Sequence, residues 1–93
     1  VLMVFSEFGR RVPENVNLGT DHGAANVMFV IGNNVKGGHY GKIPSLANLD
    51  SGGNLKHTTD FRRVYASLIK GWLGQENTQD ILNGNFKSFD MFG

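Results

Sequence analysis

An α/β fold is expected from three features of the sequence: an unbroken apolar run at residues 1–5, a second at residues 26–31, and one well-patterned helix over residues 59–73. Val1-Leu2-Met3-Val4-Phe5 mixes β-branched and aromatic residues without polar alternation. That pattern suits a strand covered on both faces, as in a parallel sheet. Residues 26–31 read as a second buried strand, stopped by Gly32-Asn33-Asn34. In the helical segment Phe61, Val64, Tyr65, Leu68, Ile69 and Trp72 recur at i, i+3, i+4, i+7, i+8 and i+11, which lines up one apolar stripe. Thr58 or Thr59 is placed to cap this helix, Asp60 suits the positive end of its dipole, and Gly74 is placed to end it. A shorter turn is expected over residues 78–82, before an irregular tail carrying Phe86, Phe89 and Phe92.

At 93 residues the chain has room for one modest domain, of a size that buries about two-thirds or less of its unfolded surface. Its 40% hydrophobic and 18% charged content fits a packed protein, not a disordered one. Thirteen glycines imply many turns. A net charge of +1, with scattered lysines and arginines, gives no footprint for nucleic acid. Without cysteine there is neither a disulfide nor a thiolate metal site. No apolar run is long enough to span a bilayer. No linker or repeat divides the chain. It opens on Val within a strand-like run, so truncation at the N-terminus is expected.

The chemistry-bearing residues gather at three places. Polarity begins abruptly after the first apolar run, at Ser6-Glu7-Phe8-Gly9-Arg10-Arg11. Ligands in α/β sheets bind at such strand ends. There Glu7 is a candidate ligand or general base and Arg10 a candidate anion binder. The alternative is a salt bridge between them. Next, Gly19-Thr20-Asp21-His22-Gly23 sets a carboxylate and an imidazole between glycines. Both are good ligands for zinc or manganese, and the alternative is an Asx turn followed by a surface histidine. His57, just before the long helix, is the third candidate, as a metal ligand or as a solvated loop residue. His39, in a glycine-rich loop beside Tyr40, reads as structural or exposed.

Taken in order, Ser6-Glu7-Phe8-Gly9-Arg10-Arg11, Gly19-Thr20-Asp21-His22-Gly23, Val35-Lys36-Gly37-Gly38 and Lys56-His57-Thr58-Thr59-Asp60-Phe61-Arg62 resemble the C-terminal region of a large bacterial group, domain-of-unknown-function family 1501. The resemblance extends over essentially the whole chain. It places the chain in the alkaline-phosphatase/sulfatase-like superfamily and implies a three-layer α/β sandwich with a mostly parallel sheet. Residues 1–93 would form the C-terminal part of that one domain, with the N-terminal part and its nucleophile absent. It further implies a hydrolase of phosphate or sulfate esters, acting on a small anionic substrate with a divalent metal, zinc or manganese. Asp21, His22 and His57 would be the ligands, with Glu7 as an accessory acid and Arg10 near the substrate anion. Many members of the family look exported, which implies a periplasmic or exported parent. The rival expectation is a non-catalytic binding protein that keeps the fold.

Overall fold

A computed structural model describes residues 1–93 and divides them into two compact units. Unit 1 comprises Val1–Ile31 and Lys42–Thr58; unit 2 comprises Gly32–Gly41 and Thr59–Gly93.

Unit 1 is built from two short antiparallel ribbons. Strand β1 (Leu2–Val4) pairs with β4 (Phe29–Ile31) in the register Leu2↔Ile31, Met3↔Val30 and Val4↔Phe29. Strand β2 (Gly9–Arg10) pairs with β3 (His22–Gly23) through Gly9↔Gly23 and Arg10↔His22. The expected parallel sheet of a three-layer sandwich is therefore not formed. The reason is in the connection: a parallel return needs a crossover of a dozen or more residues, usually a helix. Between β1 and β4 the chain instead makes the β2–β3 ribbon and its loop, and both helices come after β4.

The two apolar runs do become strands, but they are not covered on both faces. Directly paired residues share a face, so Leu2, Val4, Phe29 and Ile31 lie together, and all four are exposed. Met3 and Val30, on the opposite face, are half-buried. The ribbons are held largely by polar groups. Asn26 Nδ2 donates to the carbonyls of Ser6 (2.9 Å) and Phe8 (3.3 Å), and Asn54 Oδ1 accepts from the Ala24 amide (3.0 Å). The turn around Asp50 is closed by its own carboxylate. Asp50 Oδ1 accepts from the amides of Asn54 and Gly52, each at 2.9 Å, and these donors hold its carboxyl below the usual carboxylate range, the Asn54 amide foremost.

Unit 2 is organised by helix α1 (Phe61–Gly71). Its N-cap is Asp60 and not either of the preceding threonines: the Asp60 carboxylate accepts from the Arg62 amide at 3.0 Å. Gly74, at φ +73°, ends the helix as expected, letting the Gln75 amide reach back to the Ile69 carbonyl at 2.9 Å. The apolar stripe is only partly covered. Ile69 is buried, whereas Phe61 and Trp72 remain 55% and 48% exposed. The positions buried deepest are Ala66 and Ser67, where the C-terminal tail lies against small residues, while its Phe92 ring also sits 6.1 Å from that of Trp72. A Cβ at Gly71 would run into the Phe92 ring, and Ser67 Oγ accepts the Phe89 amide at 2.7 Å while donating to the Arg63 carbonyl. Ser67 and Gly71 are four apart and so share this face.

Helix α2 (Gln79–Leu82), at the place of the expected turn, ends in Asn83 at φ 55°. Beyond it the tail is stitched down repeatedly. The Arg62 guanidinium stacks on Phe86 at 4.3 Å, Arg63 stacks on Phe89 at 4.1 Å, and Arg63 Nε donates to the Lys87 carbonyl. The Lys36 amide donates to Met91 O (2.7 Å), Gly93 N donates to Asn34 O (3.1 Å), and Val35 bridges Phe92. No helix is long and apolar enough to cross a membrane.

Candidate functional site

The candidate residues lie in unit 1, around the β2–β3 ribbon. The two strands approach closely because both members of the Gly9↔Gly23 pair lack a side chain. A Cβ on Gly9 would overlap the Ala25 carbonyl, and one on Gly23 would press on the Arg10–Arg11 backbone. The next pair of the register sets Arg10 opposite His22.

Both of these side chains use Phe8. The imidazole of His22 is stacked on the phenyl ring, with centroids 3.6 Å apart and planes 11° from parallel. The Arg10 guanidinium carbon lies 5.0 Å from the centre of that ring, within cation–π range. One guanidinium nitrogen of Arg10 donates to the Thr20 carbonyl at 2.9 Å, which anchors the side chain while leaving its other donors toward solvent. The salt bridge weighed for Arg10 and Glu7 does not form: the ion pairs are Lys36–Asp90 and Arg62–Asp60. Glu7 is exposed in the bend after β1.

Asp21 continues the ladder, its carbonyl accepting from the Arg11 amide at 3.0 Å. Successive positions of an extended chain face opposite ways, and the partners of the pair reflect this. Asp21 Oδ1 receives Asn15 Nδ2 at 3.1 Å, whereas His22 lies against Phe8. Asp21 Oδ2 and the ring nitrogens of His22 take no hydrogen bond from the protein.

His57 is exposed, two residues past the Leu49↔Leu55 bridge. It shares unit 1 with Asp21 and His22, yet no three His, Cys, Asp or Glu side chains come together as a group able to hold a metal. In donor chemistry the pair fits zinc or manganese. In number it falls short, because zinc sites take three or four protein ligands. The expected ligand set Asp21, His22 and His57 is therefore not assembled within this structure.

Two participants are legible only from the structure. Phe8 reads in sequence as one more residue of the strand-end motif, and Asn15 as one polar residue of a loop. The signal for Asn15 was its spacing from Gly19: an Asx side chain closes turns onto amides a few residues ahead. Its Oδ1 accepts from the amides of both Asn17 and Gly19 at 3.0 Å. His39 is exposed, as expected, and its neighbour Tyr40 donates to the Lys36 carbonyl at 2.7 Å.

A family model described as "Protein of unknown function (DUF1501)" matches residues 1–77, which include every residue of this site. The chain belongs to DUF1501. No curated protein and no solved structure matches it. The DUF1501 match takes in both ribbons and α1, and stops before α2 and the tail.

Proposed function

We propose that this DUF1501 chain is the anion-binding part, and part of the metal site, of a hydrolase of phosphate or sulfate esters. Its chemistry would be that of the alkaline-phosphatase/sulfatase-like superfamily its motifs resemble. The observation that carries the reading is the pairing of Arg10 with His22 across β2 and β3, next to the Asp21 carboxylate. Arg10, anchored on Thr20, presents its remaining donors to the oxygens of an anionic ester. His22, its ring face held by Phe8, keeps its nitrogen edge for an ion or a proton. Glu7, exposed at the neighbouring bend, is the accessory acid.

Asp21 Oδ2 and a nitrogen of His22, which face opposite ways, would each offer a donor to a zinc or manganese ion, on one ion or on two neighbouring ones, with the remaining donors coming from His57 or from outside this chain. Such an ion supplies positive charge for the ester oxygens and acidifies a bound water. The residues of this chain bind and orient the anion beside it.

Calorimetric titration of the chain with zinc, manganese and inorganic phosphate tests the reading, with circular dichroism confirming that each variant is folded. With so few protein donors, zinc binding by the wild type is expected to be weak, and to be lost in Asp21→Ala/His22→Ala. Arg10→Ala is expected to weaken phosphate binding by about 10- to 100-fold, the worth of one charge-assisted hydrogen bond. A folded wild-type chain that binds neither zinc nor phosphate overturns the proposal. Phosphate binding without zinc binding supports the second reading, a non-catalytic binding protein. The prior engagement of both His22 and Arg10 with Phe8 favours that reading.

A further inference from the structure

Helix α2 ends on two residues that their surroundings select in turn. Asn83 sits at φ 55° and ψ 40°, a left-handed conformation that asparagine adopts more readily than most side chains. Gly84 follows in a tight place. A Cβ there would lie 3.1 Å from the Phe86 ring, and the Arg62 guanidinium carbon lies 4.3 Å from the centre of that ring. Cap geometry and packing together set asparagine directly before glycine, the one such pair in the sequence.

That pair has a chemistry of its own. The backbone nitrogen of the glycine can attack the side-chain amide carbon of the asparagine. As the new N–Cγ bond forms, Cγ–Nδ2 breaks, and the proton of the attacking nitrogen leaves with the ammonia. Water then opens the five-membered imide at either carbonyl. One opening gives aspartate; the other gives isoaspartate, with the main chain routed through the side chain. Only water is consumed. Glycine favours the attack because it has no Cβ to crowd the approach.

The structure supplies both the opportunity and a restraint. The Asn83 side chain is exposed and takes no hydrogen bond from the protein, whereas Asn85 Nδ2 donates to Gln79 Oε1 at 3.4 Å. The attacking nitrogen, however, is engaged. Gly84 N donates to the Gln79 carbonyl at 3.2 Å, which also accepts from the Asn83 amide. Backbone rotation restrains it further. In an L-residue the next nitrogen comes alongside Cβ at strongly negative ψ; at ψ 40° it lies on the far side of the Cα–C bond. Attack therefore needs the cap to open first.

We propose that Asn83–Gly84 is a self-modification site, gated by the C-cap of α2. Each opening of the cap exposes the pair to imide formation, and the product does not close the cap again. A carboxylate at position 83 stands three residues from Asp80, a like-charge spacing that disfavours the helix. Isoaspartate also lengthens the main chain by one carbon, which moves Gly84 off the Gln79 carbonyl and Phe86 off Arg62. The tail beyond α2 is thereby loosened at its first attachment.

The test ages the full chain in mildly alkaline buffer, folded and in denaturant, and follows each asparagine by peptide mass mapping. Asn83 is expected to convert ahead of every other asparagine. Conversion in the folded chain is expected to be about 2- to 10-fold slower than in denaturant, the worth of one backbone hydrogen bond. A folded chain in which Asn83 outlasts other asparagines overturns the site, and equal rates in the two conditions overturn the gate. Asn83→Gly, which suits φ 55° and has no side-chain amide, separates modification from other effects of ageing. Amide exchange at Gly84 should speed up with age in the wild type and stay constant in this variant. Equal loss of protection in both overturns the release of the tail.

Discussion

The two units of this protein reach order by different means. Unit 2 has the buried apolar side chains, Ala66, Ile69 and Met91, together with buried Ser67 and Thr78. Unit 1 has none: its one fully buried residue is Gly9, and Leu2, Val4, Phe5, Val27, Phe29 and Ile31 all stand exposed. What unit 1 has instead is a mesh of side chain-to-backbone hydrogen bonds from Asn15, Asn26, Asp50 and Asn54. All the candidate site residues belong to the unit without an apolar core. Each such bond has a modest net worth, about 0.5–1.5 kcal/mol. It is directional, however, and direction is what a site needs from its scaffold. A core fixes where a segment lies; Asn15 ties its turn to the Asp21 carboxylate.

The largest effect expected from this contrast is in unit 2. Met91 is 3% exposed, and Met91→Ala is expected to destabilise unit 2 by about 2–5 kcal/mol, visible as a lowered denaturation midpoint for the Trp72 signal. The amide protection of the β2–β3 ribbon should change far less. Loss of protection in both units together would mean that they unfold as one.

An intermediate effect is expected in unit 1. Gly9→Ala brings a Cβ onto the Ala25 carbonyl and is expected to cost about 1–3 kcal/mol, the usual price of overpacking. Amide exchange should speed up across Gly9–Arg10 and His22–Gly23, with α1 unaffected. An unchanged β2–β3 ribbon in this variant would show that the close approach of the two glycines is not required.

The smallest effect is a pH dependence. The carboxyl of Asp50 is held below its ordinary range, mainly by the Asn54 amide. A group depressed on folding contributes above its unfolded value, and that contribution disappears as the pH falls through the folded one. The amides of Gly52 and Asn54 should therefore lose their hydrogen-bonded shifts only on acidification below the usual carboxylate range. Asp50→Asn, which keeps an acceptor oxygen, should abolish the transition while leaving the turn closed. A turn that opens near neutral pH would exclude Asp50 as its latch.

Read from sequence, the elements fare unequally for physical reasons. The helix is legible because its period and its stop signal are local, and Gly74 ends it where its position suggests. The cap was misplaced by a residue or two because Thr58, Thr59 and Asp60 all suit the role, and only geometry selects Asp60. The apolar runs foretell strands correctly. Their lack of alternation reads as burial on two faces, but burial depends on what covers a strand, which the run itself does not encode. Direction fails for a similar reason: Leu2↔Ile31 pairing depends on how the intervening residues return the chain. For the site, the β2–β3 register sets Arg10 opposite His22, a proximity that separate motifs do not encode, whereas His57 makes no three-donor group with Asp21 and His22. Phe8 and Asn15 read in the sequence only as members of a motif and of a polar loop, because their contacts depend on which neighbours the ribbon brings to them.

The stitched-down tail has a consequence for biosynthesis. Chains emerge N-terminus first, and regions fold as their parts become available. Every residue of unit 1 has been made once Thr58 is added, so the ribbon bearing Arg10 and His22 has all its partners early. Helix α1 waits longer. The residues that close its small-residue face, Phe89, Met91 and Phe92, are among the last five in the sequence. During that interval Arg62, Arg63 and Ser67 have no tail to hold.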